Sequence, residues 1–260
     1  MAPENYAGPA YDSIAHLYDA DMAQNMRFDD VGFYHRLCDT HGGHILELGC
    51  GNGRILLELA SRHIDIVGVD RSQKMLADLA RKATERGLPL RACAMDIRQL
   101  GFRKRFDVVL CPYSVVTYMT AEEDAKRMLD EIKRVLAPGG IVIVDAFIRR
   151  ALQPIPDFTR DYVRPFGAHS LIRSKRVTAL SDRVNRVERR YEIMSIDGAM
   201  QKCIETCEDI RAYTPYELMT LLSACGLRTR ASWWNYASTT EVPDAQFFTA
   251  VAERESPDGS

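Results

Sequence analysis

The stretch Ile45-Leu46-Glu47-Leu48-Gly49-Cys50-Gly51-Asn52-Gly53-Arg54 runs from an apolar strand pattern, through three glycines at alternate positions, into a helical pattern. A loop of this kind lets a ligand approach the backbone closely, because no side chain stands in the way. Asp70, twenty-one residues after Gly49, closes the next apolar run. An acid at that place accepts hydrogen bonds from ribose hydroxyls in a nucleoside site. A dinucleotide loop reads G-x-G-x-x-G, and the place of its last glycine is held here by Arg54. The third glycine falls at Gly53 instead, and Glu47 precedes the loop, where a carboxylate would repel a pyrophosphate and favour a cationic tail.

Working outward, strand-length apolar runs alternate with helical stretches, the pattern of an α/β chain with helices on both faces of a doubly wound, mostly parallel sheet. The strands are expected at His44 to Leu48, Asp65 to Val69, Leu90 to Ala94, Phe106 to Leu110 and Ile141 to Ala146, buried on both faces. Helices are expected at Arg54 to Arg62, Ser72 to Arg86 with Ser72 as cap, and Ala121 to Leu136, ended by Pro138-Gly139-Gly140. After Phe147 the pattern becomes an antiparallel meander of Ser170 to Leu180, Val184 to Ile196 and Met200 to Arg211. A helix from Thr214 to Cys225, with Pro215 suited to the first helical position and Gly226 after it, precedes strands at Leu227 to Ser232 and Gln246 to Ala252, completing a seven-stranded sheet. The expected organisation is a helical lid over 1–42, a core of 43–150 with 212–254, and an antiparallel β insertion, 151–211, over the active site.

The chain has 260 residues, 46% hydrophobic and 27% charged, with a formal net charge of -2. This balance offers no general attraction for nucleic acid or an anionic membrane. No apolar run approaches the roughly 20 residues that span a bilayer, and MAPENYAGPAYD lacks the pattern of a secretory signal, so a cytoplasmic protein is expected. The seven cysteines are scattered, without a C-x-x-C pair, and read as reduced thiols, most often small buried hydrophobes.

Five segments, in order, resemble the class I methyltransferase family in its small-molecule branch, which includes glycine and amino-sugar N-methyltransferases. They are E-L-G-C-G-N-G-R at 47–54, V-G-V-D-R-S at 67–72 with Met75 and Leu76, A-M-D-I at 94–97, F-D-V-V at 106–109 and R-V-L-A-P-G-G at 134–140. The resemblance covers about residues 11–146 and implies S-adenosyl-L-methionine as cofactor. It implies that Glu47, Gly49, Cys50 and Gly51 surround the methionine moiety and that Asp70 holds the ribose. Asp96 with the Ile97 backbone would read the adenine edge, Arg71 or Met75 would pack on the ring, and Cys111 would sit at the rim. Tyr11 and Tyr18, on a helical lid, would approach the sulfonium.

Methyl transfer from a sulfonium is an in-line displacement, so alignment and exclusion of water matter most. A bound neutral amine needs no strong base, whereas a hydroxyl or carbon nucleophile gains from one. Tyr18, Tyr113, Tyr118 and His16 are the candidate catalytic residues; Ser114, Tyr118, His169, Tyr213, Trp233 and Tyr236 are the candidate acceptor contacts. In amino-sugar enzymes a histidine often stands near the place of Tyr118, and tyrosine is a poorer base at neutral pH. No metal site is expected, since Cys111 and Pro112 follow the fourth strand where catechol-type enzymes place an acid. The segment does not match the base-flipping motif of DNA adenine methyltransferases.

The expected reaction is methyl transfer to a small-molecule amine. O- or C-methylation of a small, acidic or phosphorylated metabolite is the alternative, and an NAD(P)-dependent oxidoreductase or a non-catalytic nucleoside-binding protein is more remote. The arginines and lysine between Arg160 and Arg190 could bind such an acid or form a solvated face. A homodimer is expected from the long meander strands.

Overall fold

A computed structural model describes residues 10–23, 25–148 and 154–255. In chain order they form α1 (Ala10–Ile14), a 3-10 turn (Ala15–Leu17), α2 (Tyr18–Met22), α3 (Asp30–His41), β1 (Ile45–Leu48), α4 (Leu56–Ser61), β2 (Ile66–Asp70) and α5 (Gln73–Glu85). There follow β3 (Ala92–Ala94), β4 (Phe106–Cys111), a 3-10 turn (Val115–Tyr118), α6 (Glu122–Val135) and β5 (Leu136–Phe147). The remainder is β6 (Ile155–Phe166), β7 (His169–Ala179), β8 (Val184–Met194), β9 (Met200–Arg211), α7 (Pro215–Ala224), β10 (Leu227–Trp234) and β11 (Phe247–Arg254). Among the described residues no helix is long and apolar enough to cross a membrane.

The chain divides into two compact units, one of 28–149 with 212–260 and one of 1–27 with 150–211. The first holds a seven-stranded sheet in the order β10-β11-β5-β4-β1-β2-β3. β1, β2, β3, β4 and β5 run parallel, β11 pairs antiparallel with β5, and β10 pairs antiparallel with β11 and so runs in the direction of the parallel strands. The order reverses between β1 and β4, so their C-terminal ends flank the crevice that such sheets use for ligands. α6 lays Ala125, Met128, Leu129, Ile132 and Val135 on the sheet at helical spacing, opposite Val109, Val142 and Val144. Burying each large side chain contributes about 1.5–3 kcal/mol. The Ser72 hydroxyl caps α5 on the Met75 amide (3.1 Å), and Thr214 with Glu217 forms a reciprocal capping box on α7.

Two elements differ from the sequence expectation here. β3 is short and exposed rather than buried on both faces, because it is the edge of the sheet, and Leu90 lies outside it at 51% exposure. α6 ends at Val135, and Ala137-Pro138-Gly139-Gly140 runs within β5.

The other unit is an antiparallel sheet in the order β6-β7-β8-β9, with α1 and α2 packed on it. Three strands are expected from sequence; the fourth, β6, escapes the alternation test because Pro156, Pro165 and four charged residues interrupt it. It lies at an edge, where proline is tolerated. Ile14, Leu17, Leu171, Tyr191, Ile193 and Ile204 form its core. Asp21, buried, accepts from the hydroxyls of Tyr162 and Tyr191 and pairs with Arg173.

The basic excess of this segment is balanced by carboxylates within it and by others on β9. Arg176 meets Glu188 (2.6 Å), Arg186 meets Asp209 (2.8 Å), Arg190 meets Glu205 (2.7 Å) and Lys175 meets Asp161 (2.8 Å). The partners Glu205 and Asp209 come from β9, directly across the ladder. A charge-paired sheet face is the simpler account of these side chains than an anion site.

Candidate active site

The glycine loop leaves β1 with Gly49 at φ +66° and Gly51 at φ +52°, backbone that side chains rarely adopt. A Cβ on Gly49 would stand 2.8 Å from the Val115 side chain, so the loop touches the segment after β4 with nothing to spare. The Gly51 amide donates to Asp70 (2.8 Å), and the Ser72 amide donates to its other oxygen (2.7 Å). Asp70 therefore ties the loop to the end of β2. Burial pushes its carboxyl up, against these two amides.

Glu47, on β1 just before the loop, is buried, and its Oε2 has no hydrogen-bond partner. Burial pushes its carboxyl up to about 8; Arg54 opposes the shift, while Asp70 and Asp30 add to it. Arg54 forks onto Asp30 of α3 (3.0 and 2.6 Å), which anchors the loop's far end. Cys50 and Cys111 are both buried, and burial pushes both thiols well above the ordinary range. Cys50 packs on Gly68 of β2 and Cys111 lies within the main core, so the sulfur atoms fill space. Met75 is likewise inside, under Gly51, whereas Arg71 is exposed beside Asp70 and Asp96.

Asp96 follows β3 and is held by Arg98, whose guanidinium (2.7 Å) and backbone amide (2.8 Å) keep its carboxyl below the usual range. Its neighbour Ile97 is partly buried against the core. The Met95 amide donates to the Asp70 carbonyl (3.0 Å), bringing the ends of β2 and β3 together.

Beyond β4, Tyr113 (φ +49°) and Ser114 (φ +60°) form a left-handed pair that leads into the 3-10 turn ending at Tyr118. The Ser114 amide donates to Asp145 of β5 (2.7 Å), as does the Tyr113 backbone, and the Tyr34 and Tyr236 hydroxyls donate to the same carboxylate. Burial pushes Asp145 up against these donors and pushes both tyrosines well above their ordinary value.

The acceptor candidates separate on this geometry. Tyr236 is buried with its hydroxyl on Asp145, and Tyr213 is a core residue bridged to Ile148. Trp233 is half-buried against Phe33 (5.4 Å between rings), and Tyr118 is half-buried at the end of its turn. Tyr11, His16, Tyr18 and His169 belong to the other unit. There Tyr11 and Tyr18 pack edge to face (5.9 Å), His16 packs on Phe166 (6.5 Å), and His169 is exposed on β7. The linear reading missed Asp145, although an acid inside Ile141-Val142-Ile143-Val144-Asp145-Ala146 is a signal, because an unpaired charge does not persist in a buried strand. Asp30 and Tyr34 carry no comparable signal.

A methyltransferase-domain family model matches residues 45–140. The phosphatidylethanolamine N-methyltransferase of Cereibacter sphaeroides is 33% identical over 147 residues, 54% of this chain and 70% of that protein. The chain belongs to the S-adenosylmethionine-dependent methyltransferases.

Other relatives of this methyltransferase align over different lengths. A glycine/sarcosine N-methyltransferase of Parasynechococcus marenigrum (strain WH8102) is 26% identical and spans 97% of this chain and 86% of that one. The putative methyltransferase YqeM of Bacillus subtilis (strain 168) is 28% identical, and the chain spans about half of it (54%), using 52% of its own length. An S-adenosylmethionine-dependent methyltransferase from Clostridium acetobutylicum ATCC 824 shares the fold, with a TM-score of 0.79 at 19% identity over 95% of this chain and 100% of that one. The methyltransferase takes S-adenosylmethionine as its cofactor, and the site fits it. Gly49 and Gly51 leave the loop backbone without side chains, which suits close approach, and the orphaned Glu47 oxygen suits a cationic group. Among the described residues no group of three or more His, Cys, Asp or Glu could hold a metal ion.

Proposed function

We propose that this methyltransferase moves the methyl group of S-adenosylmethionine to the amine nitrogen of a small molecule by in-line displacement. The supporting observation is the chemistry of the segment after β4. It offers Tyr113, Ser114 and Tyr118, next to the Cys111 thiol of β4, raised by burial, and the Asp145 carboxylate of β5, already engaged by two hydroxyls and the turn's backbone. None of these is a ready base at neutral pH, and an amine that is neutral when bound requires none. Relatives named for glycine/sarcosine and phosphatidylethanolamine N-methylation point the same way.

In this reading Gly49 and Gly51 lie against the methionine moiety, with Glu47 facing its cationic end. Asp70 accepts from the ribose hydroxyls, Asp96 and the Ile97 amide meet the adenine edge, and Arg71 covers the ring. The bound cofactor supplies an electrophilic methyl group on a sulfonium. Tyr113 to Tyr118 orient the acceptor behind that group and keep water away from it. A homodimer belongs to the same reading, since β6 and β9 are both twelve-residue edge strands; a monomer mass by light scattering would refute that part.

Incubation with isotope-labelled donor and a panel of small amines, alcohols and carbon nucleophiles tests the reading. N-methylated product is expected. Label found only on oxygen or carbon overturns the amine assignment.

A further inference from the structure

The polar contacts around the crevice form a closed circuit. Arg54, at the end of the glycine loop, holds Asp30 at the first position of α3. One turn later on the same helix, Tyr34 donates to Asp145 at the end of β5. Asp145 takes the Ser114 amide and the Tyr113 backbone, and the Tyr113 ring lies 5.3 Å from the Arg54 guanidinium where the circuit began. Tyr236, beyond β10, supplies the remaining donor. The donor loop and the segment after β4 are thus tied to one helix, and the tie passes through one carboxylate.

The backbone at that segment needs such a tie. Two consecutive residues with side chains, Tyr113 and Ser114, hold the left-handed region, which persists only where surrounding contacts over-determine it. Asp145 is the acceptor that both of them share. Its other two donors are side chains of buried tyrosines with little freedom to turn away. The carboxylate therefore fixes the turn, and the turn carries Val115, whose side chain bounds Gly49.

We propose that Asp145 is a positioning residue, which through Tyr34, Tyr236 and the Ser114 amide sets the Tyr113–Tyr118 segment against the glycine loop and so aligns acceptor and methyl group. The inference rests on the reading that this segment faces the acceptor. Asp145→Asn is the test variant, since it keeps the volume and one carbonyl acceptor but lacks a second one. Two readouts are taken. Backbone hydrogen exchange over 113–119 is expected to rise at least tenfold, with the amides of Gly51 and Ser72 unchanged. Affinity for S-adenosylmethionine is expected to stay within about twofold while kcat falls about 10²-fold, the scale of an ångström-sized misplacement.

Tyr34→Phe and Tyr236→Phe, which leave the carboxylate in place, are expected to show the same local pattern in milder form and keep the test open should Asp145→Asn fold poorly. Unchanged exchange over 113–119 in every folded variant overturns the proposal. So does exchange rising evenly over the sheet unit together with a matching loss of donor affinity, which is the mark of a residue that serves stability alone. Failure of the amine reading shows elsewhere, in which atom carries the label, and leaves the exchange result standing.

Discussion

Replacing Glu47 by Gln probes the donor site through a proton. The Glu47 carboxyl is raised from an ordinary 4.5 to about 8 by burial. At pH 7 a group with that value is ionised in only about one molecule in eleven. If the carboxylate meets the cationic end of the donor, binding must first remove the proton, at a cost of about 1.4 kcal/mol at pH 7 and about 2.7 kcal/mol at pH 6. The apparent affinity for S-adenosylmethionine should therefore rise about tenfold between pH 6 and pH 7, with about 0.9 proton released per donor bound at pH 7. Titration calorimetry in two buffers of different ionisation enthalpy measures both quantities. Glu47→Gln should bind more weakly above pH 8, show no affinity change between pH 6 and 7, and release no proton. The same shift gives a stability slope of definite sign. Between about 4.5 and about 8 the folded state holds a proton that the unfolded state has lost, so the ligand-free protein loses stability as pH rises through that window. The slope is at most about 1.4 kcal/mol per pH unit, and the glutamine variant should lack it. Wild-type affinity flat between pH 6 and 7, with no buffer-dependent enthalpy, would refute the assignment of Glu47 to the donor's cation.

Three further outcomes follow from the same geometry. Gly49→Ala places a Cβ 2.8 Å from Val115 at φ +66°, so it should cost about 1–3 kcal/mol of stability by denaturant unfolding and lower donor affinity more than tenfold; wild-type behaviour contradicts the close approach. Asp21→Ala takes the acceptor from the hydroxyls of Tyr162 and Tyr191 and one of two carboxylates from Arg173, which keeps Asp161 (2.9 Å), so a loss of about 1–3 kcal/mol is expected on thermal or chemical unfolding, whereas a change under about 0.5 kcal/mol would show the cluster to be solvated. Tyr118→Phe should keep kcat within about tenfold if no base is needed, less than the 10²–10⁴-fold that general base catalysis contributes; a larger drop, with the pH profile losing its rise toward higher pH, would make Tyr118 the base.

The fold around the glycine loop could be read from the linear sequence because its parts are local. Three glycines, a strand before them and an acid at the end of the next strand are fixed by short-range geometry, and the structure joins loop and acid through a hydrogen bond from the Gly51 amide to Asp70. The proposed acceptor side is built from residues far apart in sequence. Tyr34, Ser114, Asp145 and Tyr236 meet only because β4 and β5 pair and because α3 and the turn after β10 pack beside them. Tyr236 and Tyr213 have the composition of pocket residues, and only the folded structure shows that both side chains are buried and that the Tyr236 hydroxyl donates to Asp145. Cys111 shows the same limit, since its position at a strand end suggests a rim while its neighbours make it core. The strand β6 was hidden for a different reason, because an edge strand lacks a full ladder, and two prolines and four charged residues break the alternation of its sequence.

The most direct measurement is a crystal structure with the demethylated cofactor bound. The account predicts ribose hydroxyls within hydrogen-bond distance of Asp70, adenine between Asp96 and Ile97 on one side and Arg71 on the other, and the amino-acid tail beside Glu47. The sulfur should face the Tyr113–Tyr118 segment. A cofactor seated elsewhere, or with its sulfur turned away from that segment, would contradict it.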